Sequence, residues 1–385
     1  MARTQAVAKA FEAFDRVVDF LESFEPLVDH RQRGKVLYPL DEILLLVLLG
    51  VLAGCDCWVE IARFGEAKLD LLRRFRPYKD GTPSHDQLGD IFAVLDAEQF
   101  QGCFIGWTVK LTGLSADVIA IDGKTLRRSY QEGGGKAPIH MISAWSCGQN
   151  LVLGQAKVSA KSNEITAIPK LLDLLTIKGA TITIDAMGCQ REIAAKIIEK
   201  EAHYVLALKG NQGTLRDDVE TFVVEQKACK FADCVADVAE TIEKSHGRIE
   251  TRIVTAIGDI GWLQERHDWP GLTSIIVIES RREMADRCER EHRFYISSRA
   301  PIAEQLGETV RCHWGIENGL HWVMDMVFRD DECRIRKNNA PANFAAMKHV
   351  ASNVLRKAPG KDSLRVKRKM AGWDDDYLAS LVSGG

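Results

Sequence analysis

The chain has 385 residues, is 46% hydrophobic and 27% charged, and carries a formal net charge of −3. That length holds two or three cores, and the near-neutral charge excludes a basic nucleic-acid coat, leaving any such contact to local basic patches. The 10 cysteines show no CxxC pairing, which argues against a structural zinc site. With no signal-like N-terminus they read as reduced thiols in a cytoplasmic protein. The longest apolar run, Ile43 to Cys55, has 13 residues and two glycines. A bilayer span needs about 20, so the run reads as a buried helix and no membrane contact is expected.

Residues 1–112 read as an all-helical domain. Phe11, Phe14, Val17, Val18 and Leu21 recur at helical spacing, and Asp41 stands as an N-cap before the apolar run. The basic loop Asp29-His30-Arg31-Gln32-Arg33-Gly34-Lys35 reads as a solvated connector. Trp58 to Phe64 reads as a short helix, and Ser84 with Gln87 forms a capping box that opens another. Two short helices about a Gly/Pro turn fit a helix-turn-helix DNA reader and an ordinary bundle equally well.

From Val118 the period changes. Strand-like segments run over Val118–Lys124, His140–Ser146, Leu151–Val158, Ala180–Asp185 and His203–Leu208, with helical segments at Glu164–Leu175 and Gln190–Glu201. Three strands, then helix, strand, helix, strand, predict a mixed α/β sheet with helices on both faces. This is the order of the RNase H-like fold, read as the first part of a core over 113–213. Residues 214–298 read as a β-rich insertion: a helix from Thr214, the alternating strand His246–Val254, and strands at Ser274–Glu279 and Arg293–Ser297. Core helices are expected over 299–357. The first, Ile302 to Phe328, carries the stripe Ile316, Leu320, Val323 and Val327. Residues 358–385 read as a basic C-terminal tail with Arg365, Lys367, Arg368 and Lys369.

The chemistry starts at Val118-Ile119-Ala120-Ile121-Asp122-Gly123-Lys124-Thr125, an apolar strand that ends in a carboxylate. Gly-Lys-Thr invites a phosphate-binding loop, but that motif needs a second glycine where Val118 stands, so the nucleotide cradle is missing. The same grammar recurs at Thr181-Ile182-Thr183-Ile184-Asp185. One strand-end Asp is usually structural; two at matching ends point to a shared site, since paired carboxylates repel and need a cation. A third member is expected near Glu317, which borders the apolar stripe with His313 and His321 four residues to either side. The two histidines stand eight apart and the zincin spacing is four, so a hard-metal site is expected rather than zinc.

Five segments together resemble one family. They are Ala120-Ile121-Asp122-Gly123-Lys124-Thr125-Leu126-Arg127, Thr183-Ile184-Asp185-Ala186-Met187, Ala207-Leu208-Lys209-Gly210-Asn211-Gln212, His246-Gly247-Arg248-Ile249-Glu250-Thr251-Arg252 and His313-Trp314-Gly315-Ile316-Glu317-Asn318. The family is the H-repeat-associated group of bacterial insertion-sequence transposases, in the DDE superfamily. The resemblance runs from about Leu27 to Leu355, with Tyr38-Pro39-Leu40 and Pro83-Ser84-His85-Asp86 matching the helical domain that accompanies the catalytic core.

The resemblance implies that Asp122, Asp185 and Glu317 form the catalytic and metal-binding DDE triad, with gaps of 63 and 132 residues, the second long enough for the insertion. It implies cleavage of element ends and strand transfer into target DNA, using two Mg²⁺ or Mn²⁺ ions held by hard oxygen ligands. Related transposases with this insertion carry a Tyr and an Arg before the Glu and a Lys after it. Val310, His313 and Met324 stand there instead, and Arg311, His313 and His321 are the candidates to replace those phosphate contacts. Lys124, Arg127, Arg128, Lys209, Arg248 and Arg252 are further DNA-binding candidates, with Arg334, Arg336 and Lys337 beyond them. Trp262 and Trp269 are aromatics that either stack on an unpaired base or pack in the core. The partner implied is double-stranded DNA, as terminal inverted repeats and target, with a dimer at synapsis. The rival readings are an RNase H-like nuclease without joining activity and a catalytically idle DNA-binding remnant.

Overall fold

The computed structural model describes residues 17–113, 117–130, 137–159, 162–245, 248–284 and 287–383. Phe11 and Phe14, expected in the first helix, and His246 and Gly247 of the alternating strand lie outside these.

The N-terminal part is helical: α1 (helical over 17–24), α2 (Leu40–Leu52), α3 (Trp58–Ala67), α4 (Leu69–Leu72), α5 (His85–Val94) and α6 (Ala97–Thr112). The long apolar run forms α2, buried along nearly its whole length. Its N-cap is Pro39, not Asp41, which lies in the first turn and pairs with Arg76 Nε at 3.0 Å. The capping box at α5 is present: Ser84 Oγ accepts from the Gln87 N–H, and Gln87 Oε1 accepts from the Ser84 N–H at 2.9 Å.

A nine-stranded sheet follows, built from β1 (Val118–Leu126), β2 (Ile139–Ser146), β3 (Leu151–Lys157), β4 (Thr181–Ile184), β5 (His203–Leu208), β6 (Ala236–Ser245), β7 (Arg248–Ile257), β8 (Ser274–Glu283) and β9 (Cys288–Ser297), in the order β3-β2-β1-β4-β5-β9-β8-β7-β6. The first five strands have the expected RNase H-like arrangement, with β1 antiparallel to β2 and parallel to β4, and β4 parallel to β5. The insertion extends this same sheet, because β9 pairs antiparallel with β5. It also contains β6, a strand the sequence reading did not place.

Helices cover both faces. On one, α7 (Glu164–Leu174), α8 (Arg191–Glu199), α9 (Gly213–Ala228) and α10 (Gly261–His267) close a core with Ile119, Ile121, Ile182 and Ile184. On the other lie α11 (Ala303–Ile316), α12 (Trp322–Met326) and α13 (Ala340–Lys357), whose core runs from Ala120 and Trp145 into the N-terminal helices. The expected single helix over 302–328 is α11 and α12 joined through a π-turn at Glu317–His321. Such one-turn widenings concentrate at functional sites.

Residues 358–383, which fall in the segment read as a basic C-terminal tail, pack on the helical part. They carry α14 (Leu364–Trp373) and α15 (Asp375–Ser383), and two of the basic residues point inward. Lys367 Nζ donates to the Ala358 carbonyl at 2.6 Å, at the end of α13. Arg368 donates to the carbonyls of Val51, Cys55 and Val327 and pairs with Asp56. These two charges are thus hydrogen-bonded inside the helical part. Arg365 and Lys369 remain exposed. Among the described residues no helix is long and apolar enough to cross a membrane.

Candidate active site

Strand alternation sets which face each side chain takes. Ile119 and Ile121 of β1 enter one core, so Ala120, Asp122 and Lys124 point to the other face, toward α11. Thr183 and Asp185 follow the same parity after Ile182 and Ile184. Because Ile121 pairs with Ile184 in parallel register, the two aspartates leave neighbouring strands at the same level. Asp185 also caps the short turn Ala186–Gly188, its Oδ1 accepting from the N–H groups of Met187 at 3.0 Å and Gly188 at 3.4 Å. Gly123 faces the opposite way: a Cβ there would stand 2.2 Å from Glu164 Oε1 and 2.5 Å from His140 Nε2. The glycine after the aspartate is therefore a close-approach position against a His140–Glu164 pair.

The π-turn supplies the other half of the site. The Trp322 N–H donates to the Glu317 carbonyl, one residue further than an α-helix would reach. Two side chains meet carbonyls of this turn: Arg356 donates to Gly319 O, and Lys124 Nζ to His321 O at 3.2 Å. Gly319 lets the turn lie on the buried Trp145, since a Cβ would come within 2.9 Å of its ring. Lys124 is also paired with Asp325, and its amine lies 4.0 Å from Asp330 Oδ2. It is an internal clamp between β1 and the helix, not a surface cation.

Donor atoms of Asp122, Glu317 and His321 all lie within 4.8 Å of one another. His321 Nδ1 is 3.5 Å from Asp122 Oδ2 and 3.7 Å from Glu317 Oε2. Burial pushes the Asp122 carboxyl up to about 7, against the Gly123 N–H it accepts, and the Glu317 and Asp185 carboxylates push it further. Burial likewise takes the His321 imidazole down to about 4, with the Lys124 charge acting in the same direction. The pair is thus a neutral ring beside a carboxyl group rather than an ion pair. His313, held down by burial, shares a hydrogen bond of 3.0 Å between Nδ1 and Thr183 Oγ1. Burial holds both rings toward the neutral form.

The remaining candidates scatter. Arg127 is exposed beside Asp331, and Arg128 is exposed with its carbonyl accepting from Arg336 Nε. Lys209 is exposed just after β5 and Arg248 at the start of β7. Arg252 pairs with Glu250 and Arg311 with Glu243. Trp269 is core, and Trp262 packs on Phe222 with ring centroids 5.2 Å apart. The aromatic beside the site is instead Trp314, 47% exposed on α11, with the Arg293 guanidinium 4.9 Å from its ring centre. Together Arg252, Arg282, Arg293, Arg311, Trp314 and Asn318 line a cavity of about 410 Å³ between β7–β9 and the start of the π-turn. Arg282 and Arg293 were not among the sequence candidates, because only the register of β8 and β9 brings them beside Asn318.

Residues 113–354 match the family described as Transposase DDE domain, and residues 21–108 match the DDE_Tnp_1-associated family. The chain is 40% identical over 373 residues to Escherichia coli (strain K12) "H repeat-associated putative transposase YhhI", covering 94% of this chain and 97% of that one. It is 44% identical over 278 residues to an uncharacterized protein in the dhlA 3′ region of Xanthobacter autotrophicus, covering 71% and 92%. A solved piggyBac transposase synaptic complex with hairpin DNA aligns at a TM-score of 0.43 and 10% identity over 97% of this chain and 80% of that one, and nothing further rests on that likeness. With strand ends, helix and family match all falling on the same span, the chain belongs to the DDE-domain transposases, with H-repeat-associated proteins among its relatives.

Proposed function

We propose that this transposase cuts the ends of a mobile DNA element and joins them to target DNA, with Asp122, Asp185 and Glu317 as its metal-holding carboxylates. The observation that carries this reading is the convergence of Asp122 and Glu317 with Asp185 on the neighbouring strand end. A carboxyl raised to about 7 by burial and two like charges fits a site built for a cation. The donors are mainly hard oxygens, which suits Mg²⁺ or Mn²⁺. Two such ions, when bound, polarise the scissile phosphodiester and activate the attacking oxygen. The chain's own part is placement: β1 and β4 fix two carboxylates, the π-turn aims the third, and Lys124 ties strand to helix. Water as nucleophile gives a nick; the freed 3′-hydroxyl gives joining.

The test is incubation of labelled element ends with supercoiled plasmid. Joined products that require Mg²⁺ or Mn²⁺ and vanish in excess EDTA are expected. Cut ends without joining would leave a nuclease, and DNA binding without cutting an idle remnant. The sign of the pH effect follows from Asp122. Its proton must leave before a cation binds, so metal affinity is full above about 7 and falls as pH drops below it, by roughly tenfold per unit. Calorimetric titration of Mn²⁺ at pH 6 and 8 checks this, and equal affinities would count against Asp122 as a ligand. Synapsis of two ends would need two chains, which light scattering of the end-bound complex reads directly.

The arginine-lined cavity beside Asn318 is proposed to hold DNA backbone close to the cut, with Lys209, Arg127, Arg128 and Arg248 as outlying contacts. The double variant Arg252→Ala/Arg293→Ala is expected to weaken binding similarly for all sequences and to flatten the salt dependence by about one unit of slope per lost phosphate contact. An unchanged salt slope in fluorescence anisotropy would remove the cavity from the DNA path.

A further inference from the structure

We propose that His321 is itself a metal ligand, so that Asp122, Glu317 and His321 form a mixed carboxylate–imidazole centre that selects Mn²⁺ over Mg²⁺. This rests on the reading above that the carboxylates hold a divalent ion, and adds a ligand outside the acidic triad.

The argument is geometric. At 3.5 and 3.7 Å from the two carboxylates, Nδ1 makes only long contacts with them and sits between both. Donors each about 2.1 Å from a shared ion stand roughly 3.0–3.4 Å apart at octahedral to tetrahedral angles. The observed separations lie a few tenths of an ångström beyond that range, close enough for a bound ion to draw the donors together. The ring is not there by slack: the residue is 8% exposed, and its carbonyl is gripped by Lys124, which leaves the same strand two residues after Asp122. One cation therefore fixes both the strand bearing the first carboxylate and the turn bearing the imidazole. A phosphate contact does not suit so enclosed a ring. A plain core role leaves the direction of Nδ1, toward two carboxylates, without a cause. A ring whose Nδ1 is aimed between two carboxylates, at long range from each, is explained by an ion at Nδ1.

Mn²⁺ accepts an imidazole nitrogen beside carboxylate oxygens more readily than Mg²⁺, which keeps oxygen ligands and water. The consequence is metal preference.

Pulsed EPR of the full chain loaded with Mn²⁺ alone tests the assignment. Nitrogen modulation from a directly bound imidazole is expected, and selective ¹⁵N-histidine labelling should replace the ¹⁴N pattern. His321→Gln should abolish the modulation and weaken Mn²⁺ binding by about tenfold or more while Mg²⁺ binding changes less. His313→Gln should leave the signal in place. Manganese bound with no nitrogen modulation in the unaltered chain would overturn the proposal while sparing the carboxylate site. Absence of Mn²⁺ binding altogether would overturn both. The labelled, unsubstituted protein decides the matter even if a variant fails to fold.

Discussion

Asp122→Asn, Asp185→Asn and Glu317→Gln should each lower metal-dependent cleavage of element ends by on the order of 10³-fold or more, with DNA affinity little changed. The amides keep size and shape, so loss reports charge and not packing. Asp185 makes the distinction necessary. Its Oδ1 accepts two backbone N–H groups that cap the turn after β4, and Asp185→Ala would unmake the turn as well as the charge. Asp185→Asn retains an acceptor oxygen and removes only the anion. Asp122 offers a second, independent readout. Its carboxyl is buried against Glu317 and Asp185, so neutralising it relieves repulsion in the metal-free chain. Asp122→Asn should melt higher than the unaltered protein in EDTA, and should gain little from added Mn²⁺, where the unaltered protein gains by mass action. Full cleavage by any of these variants would take that residue out of the site.

The strands bearing both aspartates were legible because each is a run rich in Ile and other β-branched residues ending in an abrupt charge, a pattern that buried parallel strands impose. Glu317 was placed by its position beside Ile316 on an apolar stripe, and its helix was read correctly in extent but not in form. A π-turn leaves no composition signal: Glu317-Asn318-Gly319-Leu320-His321 fits an α-helix as well, and only the contacts of Gly319 with Trp145 and of Lys124 with the His321 carbonyl explain the widened turn. The partners of Lys124 were not legible for a related reason. Next to a catalytic-looking aspartate a lysine resembles a phosphate contact, yet its partners Asp325 and Asp330 lie some 200 residues on in the chain. The strand β6 was missed because Glu240 and Lys244 interrupt the face that carries Val238 and Ile242, and that face is exposed from Val238 to Lys244. Long-range pairing made the remaining difference, in the cavity and in the inward-turned α14.

Lys348→Met should destabilise the fold by about 3–5 kcal/mol, because it leaves Asp330 as an unpaired charge in the interior. Lys348 is 1% exposed and Asp330 8%, with Nζ 3.0 Å from Oδ1. Burial alone would drive the Asp330 proton on and the Lys348 proton off. The two charges hold each other the opposite way, Asp330 below its ordinary range with help from Lys124, and Lys348 above its own. The sign with pH follows. A depressed carboxyl contributes stability that is present above its unfolded value near 3.8 and is lost as pH falls through the folded one. The gap between Lys348→Met and the unaltered chain in urea should therefore be widest near neutrality and should close on acidification. The double variant Asp330→Leu/Lys348→Met should recover much of the loss, since an apolar pair of similar volume avoids desolvating both ions. Its activity should not recover with its stability. Asp330 is one of the anions around Lys124, and Lys124 holds the turn from which Glu317 and His321 reach Asp122. Recovery of both in the double variant would mean that the buried pair supports the fold alone and has no part in setting the site.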